Sequence, residues 1–354
     1  LVGSEMCIRD SCLSCKGCKS ECPSNVDMAR LKAEWEQHWL DARGVPWRTR
    51  LVAGSARGFA LASRVAPLAN LLMTAPGTSH LLKWCLGFHP RRSLPRVHAP
   101  RLSSWWRRRK RAAGRLGRVH LFCDEFTDTL DVPTGIRAVE LLEGLGYEVV
   151  IPDHVASGRA QISKGLLREA RTLAEENVRR LSGVVTDEAP LVGIEPSAIL
   201  GFRDEVPDLV DRGLAAAARA LSGRALLVEE FLAREAAAGR IGPDAFHDLP
   251  KVVHLHGHCH QKAIAGIGAT VAALSLPRRY TVEPIPSGCC GMAGSFGYQR
   301  DHYGLSMRIG ELVLFPAVRA APADVIVAAP GTSCRHQILD GTGRVALHPL
   351  EILH

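Results

Sequence analysis

Four cysteines near the start of the chain have the spacing of ligands to an iron–sulfur cluster. They are Cys12, Cys15, Cys18 and Cys22, and Pro23 follows them. A cubane cluster needs four soft ligands, which thiolates supply, and one tight loop can place three of them around it. A structural zinc site more often uses two separated ligand pairs, so the spacing favours [4Fe–4S] over zinc or free thiols.

The fourth cysteine of such a C-x2-C-x2-C-x3-C-P run ligates a second cluster when two are present. Cys12, Cys15 and Cys18 therefore need a remote fourth ligand, and Cys22 needs three further partners. No sister run follows downstream, so we expect one upstream. We interpret residues 1–10, with Cys7, as artefactual, because they resemble a translated sequencing adapter, and we expect the cluster module to be truncated.

A second group of cysteines is spread over the C-terminal part of the chain. It comprises Cys259, Cys289, Cys290 and Cys334. Three loops at the carboxyl ends of predicted strands would gather these four thiolates, which is where open α/β sheets place their sites. Gly288 and Gly291 would let the backbone turn tightly around a metal. The alternative for the adjacent pair is a strained vicinal disulfide.

Alternating histidines surround the first cysteine of this second group. His254, His256, His258 and His260 would share one face of a strand. A loop beginning at Gly257 would instead free His258 or His260 to ligate a metal or to hydrogen-bond a thiolate. The alternative is that they are polar residues around the mouth of a site.

Short apolar runs alternate with helical stretches from Gly117 onward, which predicts parallel sheets with helices on both faces. The predicted strands are Val119–Cys123, Glu148–Ile151, Leu191–Ile194 and Val325–Ala329, with a further one starting at Val252. The predicted helices are Asp27–Leu40, Thr134–Gly144, Lys164–Leu181 and Leu226–Ala238.

This rhythm restarts at Val252, which indicates an internal repeat. The second copy reads Cys259, 29 residues, Cys289-Cys290-Gly291, 42 residues and Cys334. The first reads Cys123, 32 residues, Ala156-Ser157-Gly158, 39 residues and Ala198. The first copy thus looks like a duplicate that kept one cysteine and lost three ligand positions.

Composition and charge narrow the function classes. The chain has 354 residues, 11 cysteines and a net charge of +8. Much of the excess positive charge lies around Arg107–Arg111, which we interpret as a solvated basic linker. The alternative is that this segment docks on an anionic membrane surface or an acidic partner. No nucleic-acid-binding motif accompanies it, so no nucleic-acid partner is expected. Clustered cysteines without a secretory signal favour metal ligation in a reducing, cytoplasmic compartment.

We therefore predict an α/β chain in which a small α-helical ferredoxin-type [4Fe–4S] module precedes two repeated βαβ cysteine-rich domains. The predicted divisions are 1–10 (artefact), 11–44 (truncated ferredoxin-type module), 45–115 (helical basic connector), 116–250 (degenerate cysteine-rich domain) and 251–354 (complete cysteine-rich domain). The connector stretch Leu51–Phe88 fits amphipathic helices that pack on a neighbour or lie on a membrane.

The second cysteine group resembles the CCG domains of heterodisulfide reductases and of glycolate-oxidase-type iron–sulfur proteins. More narrowly, residues 11–354 resemble the C-terminal part of fused FAD-linked oxidases similar to D-2-hydroxyglutarate and D-lactate dehydrogenases. The segments that carry this resemblance are 12–27, 157–166, 193–200, 256–262 and 287–297.

The resemblance implies an oxidoreductase in which electrons pass from FAD, held in an upstream domain, through [4Fe–4S] clusters to a quinone or another carrier. The chain alone is then expected not to oxidise a 2-hydroxyacid. The second site could hold [4Fe–4S], a non-cubane cluster or zinc. Peripheral contact with the inner membrane would suit a quinone acceptor. The alternative functions are a heterodisulfide-reductase-like thiol–disulfide protein and a zinc-stabilised interaction module.

Overall fold

A computed structural model describes residues 11–110 and 113–354. The fold is α/β and contains two parallel sheets. The predicted fold class and the parallel sheets are confirmed. The artefact proposed for residues 1–10, with Cys7, lies outside the described residues, as does Arg111 of the basic linker.

The N-terminal part is helical and its helices are short. They are α1 (Gly17–Glu21), α2 (Met28–Arg43), α3 (Trp47–Ala53), α4 (Ser55–Ala62), α5 (Ala66–Thr74), α6 (Pro76–Leu86) and α7 (Leu102–Arg108), with a 3-10 turn at Ser63–Val65. Asp27 caps α2 by accepting hydrogen bonds from the N–H groups of Ala29 and Arg30. Gly44, at φ 79°, ends it one turn later than predicted.

The first sheet has four parallel strands in the order β2-β1-β3-β4. The strands are β1 (Gly117–Phe122), β2 (Tyr147–Val150), β3 (Leu191–Gly193) and β4 (Ala225–Leu227). Its helices are α8 (Glu125–Thr129), α9 (Val132–Gly144), α10 (Arg159–Ile162), α11 (Leu167–Leu181), α12 (Pro196–Ile199), α13 (Val206–Leu209), α14 (Ala215–Arg224) and α15 (Val228–Ala237), with 3-10 turns at Leu200–Phe202, Arg212–Leu214 and Pro243–Ala245. Strand β4 was missed because its three residues run directly into the predicted helix.

The second sheet has three parallel strands in the order β6-β5-β7. The strands are β5 (Lys251–Leu255), β6 (Tyr280–Pro284) and β7 (Ile326–Ala328). Its helices are α16 (Cys259–Ile264), α17 (Gly268–Leu274), α18 (Tyr303–Leu312), α19 (Leu314–Ala320), α20 (Thr332–Thr342) and α21 (Pro349–Leu353). One apolar core includes side chains from both sheets, among them Leu121, Val192, Val253, Leu255 and Ala328.

The strand registers relate the two copies residue by residue. Leu121 pairs with Val192 in the first sheet, and Leu255 pairs with Ala328 in the second. When these pairs are superposed, the helix caps Asp124 and His258 coincide. This alignment corrects the one predicted from the sequence, because it makes Glu125, rather than Cys123, equivalent to Cys259.

The other two ligand loops align as the sequence predicted. The β1–β2 and β5–β6 registers make Ala156 and Ser157 of the first copy equivalent to Cys289 and Cys290 of the second. Gly158 and Gly291 follow these pairs and both have positive φ. The helix caps Glu195 and Gly331 are equivalent in the two copies, which makes Ala198 equivalent to Cys334.

Among the described residues, no single helix is long and apolar enough to cross a membrane. Residues Ser55–Thr74 and Pro76–Leu86 reach that length and hydropathy only together, as a pair bent by 91°.

Candidate metal centres

The four cysteines of the C-terminal group meet at the carboxyl ends of the second sheet. Cys259 is the first residue of α16, after β5, and Cys334 lies in the first turn of α20, after β7. Cys289 and Cys290 lie in the loop that follows β6. Parallel strands end at one edge, so three separate loops bring these side chains together.

Contacts between neighbouring thiols link the four residues into a chain. Cys259 contacts Cys289, Cys289 contacts Cys290, and Cys290 contacts Cys334. The hydrogen bond with Cys289, and then burial, raise the pKa of Cys259 well above its ordinary value. Four adjacent thiolates repel one another in a dry site, whereas a bound cation would favour their ionised form.

The loop that carries Cys289 and Cys290 is held by its surroundings. Gly291 has φ 93°, and a Cβ there would collide with the carbonyl oxygen of Ser306. Gly288 has open space around it and ordinary φ, so only Gly291 meets the predicted need for glycine. Lys262 donates hydrogen bonds to the carbonyl oxygens of Ser287 and Gly288, the latter at 3.0 Å.

The histidines around Cys259 have different partners. His258 caps α16, and its Nε2 lies 3.9 Å from a carboxylate oxygen of Glu195. His260 donates from Nε2 to the carbonyl oxygen of Ser14 at 3.0 Å. His256 is fully buried and lies beside the thiols, and one of its ring nitrogens, Cys290 Sγ and Cys334 Sγ are all within 4.8 Å of one another.

The loop predicted at Gly257 is present, but it does not leave His258 or His260 without partners. The strand does end before Gly257, as the loop alternative requires. His258 and His260 are both engaged by neighbouring residues, however, and His256 is the histidine that faces the cysteines. A histidine directly after a strand, at a position where the other copy has Phe122, was the signal available in the sequence.

The N-terminal cysteine run forms a second group of soft donors. Burial, first, and the neighbouring Cys259, Cys12 and Cys18 raise the pKa of Cys15, and the N–H of Gly17 opposes them. Backbone N–H groups point at sulfurs here: that of Ser14 lies 3.4 Å from Cys12 Sγ, and that of Met28 lies 3.4 Å from Cys18 Sγ. Such bonds stabilise negative charge on the sulfur.

Cys22 has a different environment. The N–H groups of Val26 and Ser24, and then that of Asn25, lower the pKa of its thiol. Cys12, Cys15 and Cys18 therefore group together and Cys22 stands apart, as in a run whose fourth thiolate serves another cluster.

The N-terminal and C-terminal cysteine groups are neighbours. Helix α1 packs against α16, so the loop of Cys15 contacts the helix that begins with Cys259. The hydrogen bond between His260 and Ser14 joins the two segments, and the charge of Cys259 influences the pKa of Cys15. A metal or cluster bound at one site would therefore lie close to a metal or cluster bound at the other.

Carboxylates of the first copy hold the N-terminal loop in place. Lys16 is buried and pairs with Asp204, with Glu205 at 3.2 Å and with Asp27 at 3.3 Å. Lys19 also pairs with Asp204. These ammonium charges are thus neutralised by carboxylates within the protein.

The first copy has no thiol at any of the four positions equivalent to the C-terminal ligands. Glu125 occupies the place of Cys259, and its carboxylate accepts hydrogen bonds from Ser157 N at 3.0 Å and from Ser157 Oγ at 2.7 Å. Cys123 is buried and donates to Asp128 at 3.6 Å. Side chains of the copy itself therefore satisfy one another where a metal would lie.

The C-terminal donors fit a soft metal or an iron–sulfur cluster. Thiolate and imidazole suit zinc, iron and iron–sulfur clusters, and disfavour the hard cations Ca²⁺ and Mg²⁺. The N-terminal group supplies thiolates alone, which suits an iron–sulfur cluster.

Comparison with known proteins finds dehydrogenases among the relatives. The chain is 26% identical over 357 residues to the D-2-hydroxyglutarate dehydrogenase of Escherichia coli (strain K12), across 97% of this chain and 34% of that protein. It is 26% identical over 294 residues to one component of the anaerobic glycerol-3-phosphate dehydrogenase of the same strain, across 81% of this chain and 72% of that component. It is also 26% identical over 242 residues to lactate utilization protein A of Exiguobacterium sp. (strain ATCC BAA-1283 / AT1b), across 67% of this chain and 94% of that protein.

The chain spans about a third of the length of the D-2-hydroxyglutarate dehydrogenases it matches. No family model matches the chain. No solved structure matches it either. The relatives agree with the predicted oxidoreductase class and with the resemblance to 2-hydroxyacid dehydrogenases.

Proposed function

We propose that this chain is the iron–sulfur electron-transfer portion of a FAD-dependent 2-hydroxyacid dehydrogenase. Electrons from the reduced flavin, which a separate upstream domain would hold, pass through this chain to a quinone or another carrier. The observation that carries the proposal is the juxtaposition of two groups of soft donors, joined where Cys15 meets Cys259. The names of the relatives supply the substrate class, since one acts on D-2-hydroxyglutarate and another serves lactate utilization.

Each donor group has a defined part in this proposal. Cys12, Cys15 and Cys18 hold a [4Fe–4S] cluster with a fourth ligand from elsewhere, and Cys22 contributes to another cluster. Cys259, Cys289, Cys290 and Cys334 hold the C-terminal metal or cluster. A bound iron–sulfur cluster supplies one-electron chemistry.

The protein around the donors keeps these carriers close and shielded. The N–H groups of Ser14, Gly17 and Met28 stabilise negative charge on the N-terminal sulfurs. Lys262 fixes the loop of Cys289 and Cys290 and places a positive charge near them. Burial of Cys290 and Cys334 excludes water from the inner part of the C-terminal site.

A cavity beside the C-terminal site offers room for the electron acceptor. Its volume is about 450 Å³, and Cys259, Cys290 and His258 line one part of it. Apolar side chains of the connector, such as Leu51 and Phe59, line another part. A mainly apolar pocket with a few polar groups suits a small apolar carrier such as a quinone head group.

The proposed setting is the cytoplasm, at the periphery of the inner membrane. Cysteines in dense groups remain reduced in that compartment. A quinone acceptor resides in the membrane, so a peripheral position would bring the cavity near it.

The alternative functions differ in what they need from the protein. A thiol–disulfide reductase of the heterodisulfide-reductase type would prefer both copies intact, and the first copy has Glu125, Ala156, Ser157 and Ala198 at the four positions. A zinc-stabilised interaction module is favoured by one observation, the tight group of His256, Cys290 and Cys334, since zinc accepts mixed nitrogen and sulfur ligands. Zinc at that site alone would still leave the N-terminal run for iron.

Reoxidation kinetics would test the proposal. The full chain, purified without oxygen and reduced with dithionite, is mixed with a water-soluble quinone analogue, and the visible absorbance of the iron–sulfur cluster is followed. We expect rapid reoxidation by the quinone and none by an organic disulfide. Reoxidation by the disulfide alone would support the reductase, and a chain with zinc but no iron would support the interaction module.

A further inference from the structure

The side chain of His256 lies at the inner end of the C-terminal cysteine group. It is fully buried, and its Nε2 has no hydrogen-bond partner among the described residues. One nitrogen of this ring lies within 4.8 Å of the sulfurs of Cys290 and Cys334. A buried polar atom without a partner is destabilising, so Nε2 requires an explanation.

A hydrogen bond on one side of the ring holds the imidazole in place. His256 Nδ1 lies 2.7 Å from Ser287 Oγ, and that hydroxyl also lies 3.4 Å from the carbonyl oxygen of Ile285. Nδ1 is thus engaged by Ser287, which leaves Nε2 as the ring nitrogen available to a metal. Histidines that ligate metals commonly have their other ring nitrogen held in this way.

The first copy supplies an internal control for this arrangement. The strand registers place Phe122 opposite His256 and His154 opposite Ser287. Phe122 and His154 make a ring contact, with centroids 4.6 Å apart. The same two positions thus touch in both copies, but the position at the strand end has a ligand-type nitrogen only in the copy with the four cysteines.

We propose that His256 Nε2 is a ligand of the metal or cluster at the C-terminal site and that Ser287 positions its ring. This inference rests on the proposed function, in that the site must hold a metal. It makes the site a mixed nitrogen and sulfur centre. A neutral imidazole in place of a thiolate raises the potential of an iron–sulfur centre, so this site would accept electrons from an all-thiolate neighbour.

Isotope-edited spectroscopy would test the assignment. The full chain is prepared with ¹⁵N-histidine, and the nitrogen couplings of the reduced protein are measured by pulsed EPR, with X-ray absorption at the zinc edge if metal analysis finds zinc. We expect one histidine nitrogen bound to the metal, lost in His256→Asn and retained in His254→Asn. His254 is a matched control because it lies two residues earlier on the same strand, where it pairs with Glu283.

A second variant separates ligation from a structural role. His256→Cys should keep the metal, lose the nitrogen coupling and lower the midpoint potential, because a thiolate can replace the imidazole as a ligand. If His256 were needed only for packing, this variant would not change the midpoint potential. A wild-type C-terminal site that binds metal without a histidine nitrogen would overturn this inference alone. A wild-type chain with no metal at that site would overturn the proposed function with it.

An independent observation concerns the charge of the segment that includes the connector helices α3 to α6. The stretch from α3 to α6 itself carries Arg48, Arg50, Arg57, Arg64 and Lys83 and no carboxylate. Residues 42–123 hold 17 of the 44 Lys and Arg residues of the chain and none of its 36 Asp and Glu residues. The rest of the chain therefore has a net charge of −9. Arg50, Arg57 and Arg64 are exposed and have no ion pair within the described ranges.

The same helices expose apolar side chains on their outer face. Nine of the 18 large apolar residues that are exposed in the described parts of the chain lie between residues 47 and 86: Trp47, Leu51, Leu61, Val65, Leu68, Leu71, Leu72, Leu81 and Trp84. The opposite face of α4 and α5 is covered, since Phe59, Ala66, Ala69 and Met73 pack in a cluster with Val97 and Leu130. The exposed leucines are thus not needed to hold the helices in place.

We infer that this outer face docks on an anionic lipid bilayer. Apolar residues would enter the interface, tryptophans favour the head-group level, and the arginines would pair with lipid phosphates. The lack of any carboxylate over 82 consecutive residues favours a negatively charged surface over a protein face of mixed charge. The apolar cavity beside Cys259 is lined by side chains of the same helices, and the exposed Leu51 belongs to both the cavity and this face, which places the cavity next to this surface.

Vesicle sedimentation would test the docking surface. The full chain is mixed with vesicles of phosphatidylglycerol or of phosphatidylcholine at low and high salt. We expect binding to phosphatidylglycerol that weakens with salt, and a loss of about a hundredfold in Leu68→Glu/Leu71→Glu, because two leucines no longer enter the interface. Leu312→Glu, at an exposed leucine far along the chain, should bind as the wild type does. Absence of binding, or equal binding by the double variant, would overturn the proposal and assign the face to a protein partner.

Discussion

The two copies share the order of three parallel strands but differ at the four positions where the second copy has its cysteines. At equivalent positions the second copy has Cys259, Cys289, Cys290 and Cys334, and the first has Glu125, Ala156, Ser157 and Ala198. In the second copy the four thiol side chains converge on one another. In the first, Glu125 and Ser157 satisfy each other.

The first copy instead holds in position the N-terminal loop and the loop that leads to Cys334. Its residues Asp204 and Glu205 hold Lys16 of the N-terminal loop, and Glu195 accepts a hydrogen bond from Thr332 N at 2.9 Å in the loop that leads to Cys334. The first copy thus helps to align the two cysteine groups. The comparison teaches that the fold supplies the edge where a site can form, while the side chains decide whether one does.

The largest effect is expected from removing a ligand in the second copy. Cys290→Ala should abolish metal binding at the C-terminal site, because Cys290 contacts both Cys289 and Cys334, and should leave the N-terminal EPR signal intact. Ser157→Ala, at the matched position of the first copy, should change neither the metal content of the C-terminal site nor the N-terminal EPR signal. Metal analysis and EPR on both variants would measure this, and retention of all metal in Cys290→Ala would refute the ligand assignment.

The scaffold role of the first copy predicts a large effect on stability. Lys16→Met should lower the free energy of unfolding by about 3–5 kcal/mol, since it leaves buried carboxylates without their cation. Denaturant unfolding would report this loss, together with a weaker N-terminal cluster signal. Lys19→Met should have a smaller effect, because Lys19 is more exposed than Lys16; equal effects would argue against the buried network.

The same network predicts that acid weakens the contact between the first copy and the N-terminal loop. Burial alone would raise the pKa of Asp204, but the ammonium groups of Lys16 and Lys19 outweigh it and lower that pKa well below its ordinary value. The stabilisation is therefore fully present above the unfolded pKa of about 3.9 and is lost as pH falls below it toward the folded pKa. Unfolding of the wild type between neutral and acidic pH should show this slope, and Asp204→Asn should flatten it.

The smallest effect is expected at the cysteine that the first copy retains. Cys123→Ser should leave the metal content unchanged, because Cys123 lies opposite Gly257 rather than opposite a ligand, and should lower stability by about 1 kcal/mol at most from its buried contact with Asp128. Iron analysis and thermal unfolding would check this. Loss of iron in this variant would mean that the first copy is not degenerate.

Much of the fold and of the cysteine grouping could be predicted from sequence, because both depend on local patterns. The βαβ rhythm indicated the parallel sheets, and strand ends placed Cys259, Cys289, Cys290 and Cys334 at one edge. Helix α2 begins at Met28, one residue after its predicted start at Asp27. Strand β4 escaped detection because it has only three residues and runs directly into the helix that follows.

Long-range contacts could not be predicted in this way. Nothing in the local sequence links Lys16 to Asp204, or Ser14 to His260, which are 188 and 246 residues apart along the chain. The alignment of Cys123 with Cys259 was wrong by two residues because it matched residue types, whereas strand pairing matches positions. His256 went unnoticed as a ligand for the same reason, since its importance depends on Ser287 and on the sulfurs across the sheet edge.

Iron, acid-labile sulfide and zinc per chain, measured on protein purified without oxygen, test the central claim most directly. Iron matched by sulfide, with about four of each for every [4Fe–4S] cluster, is the predicted result, with any zinc confined to the C-terminal site. Zinc without sulfide, or a chain without either metal, would contradict the electron-transfer account.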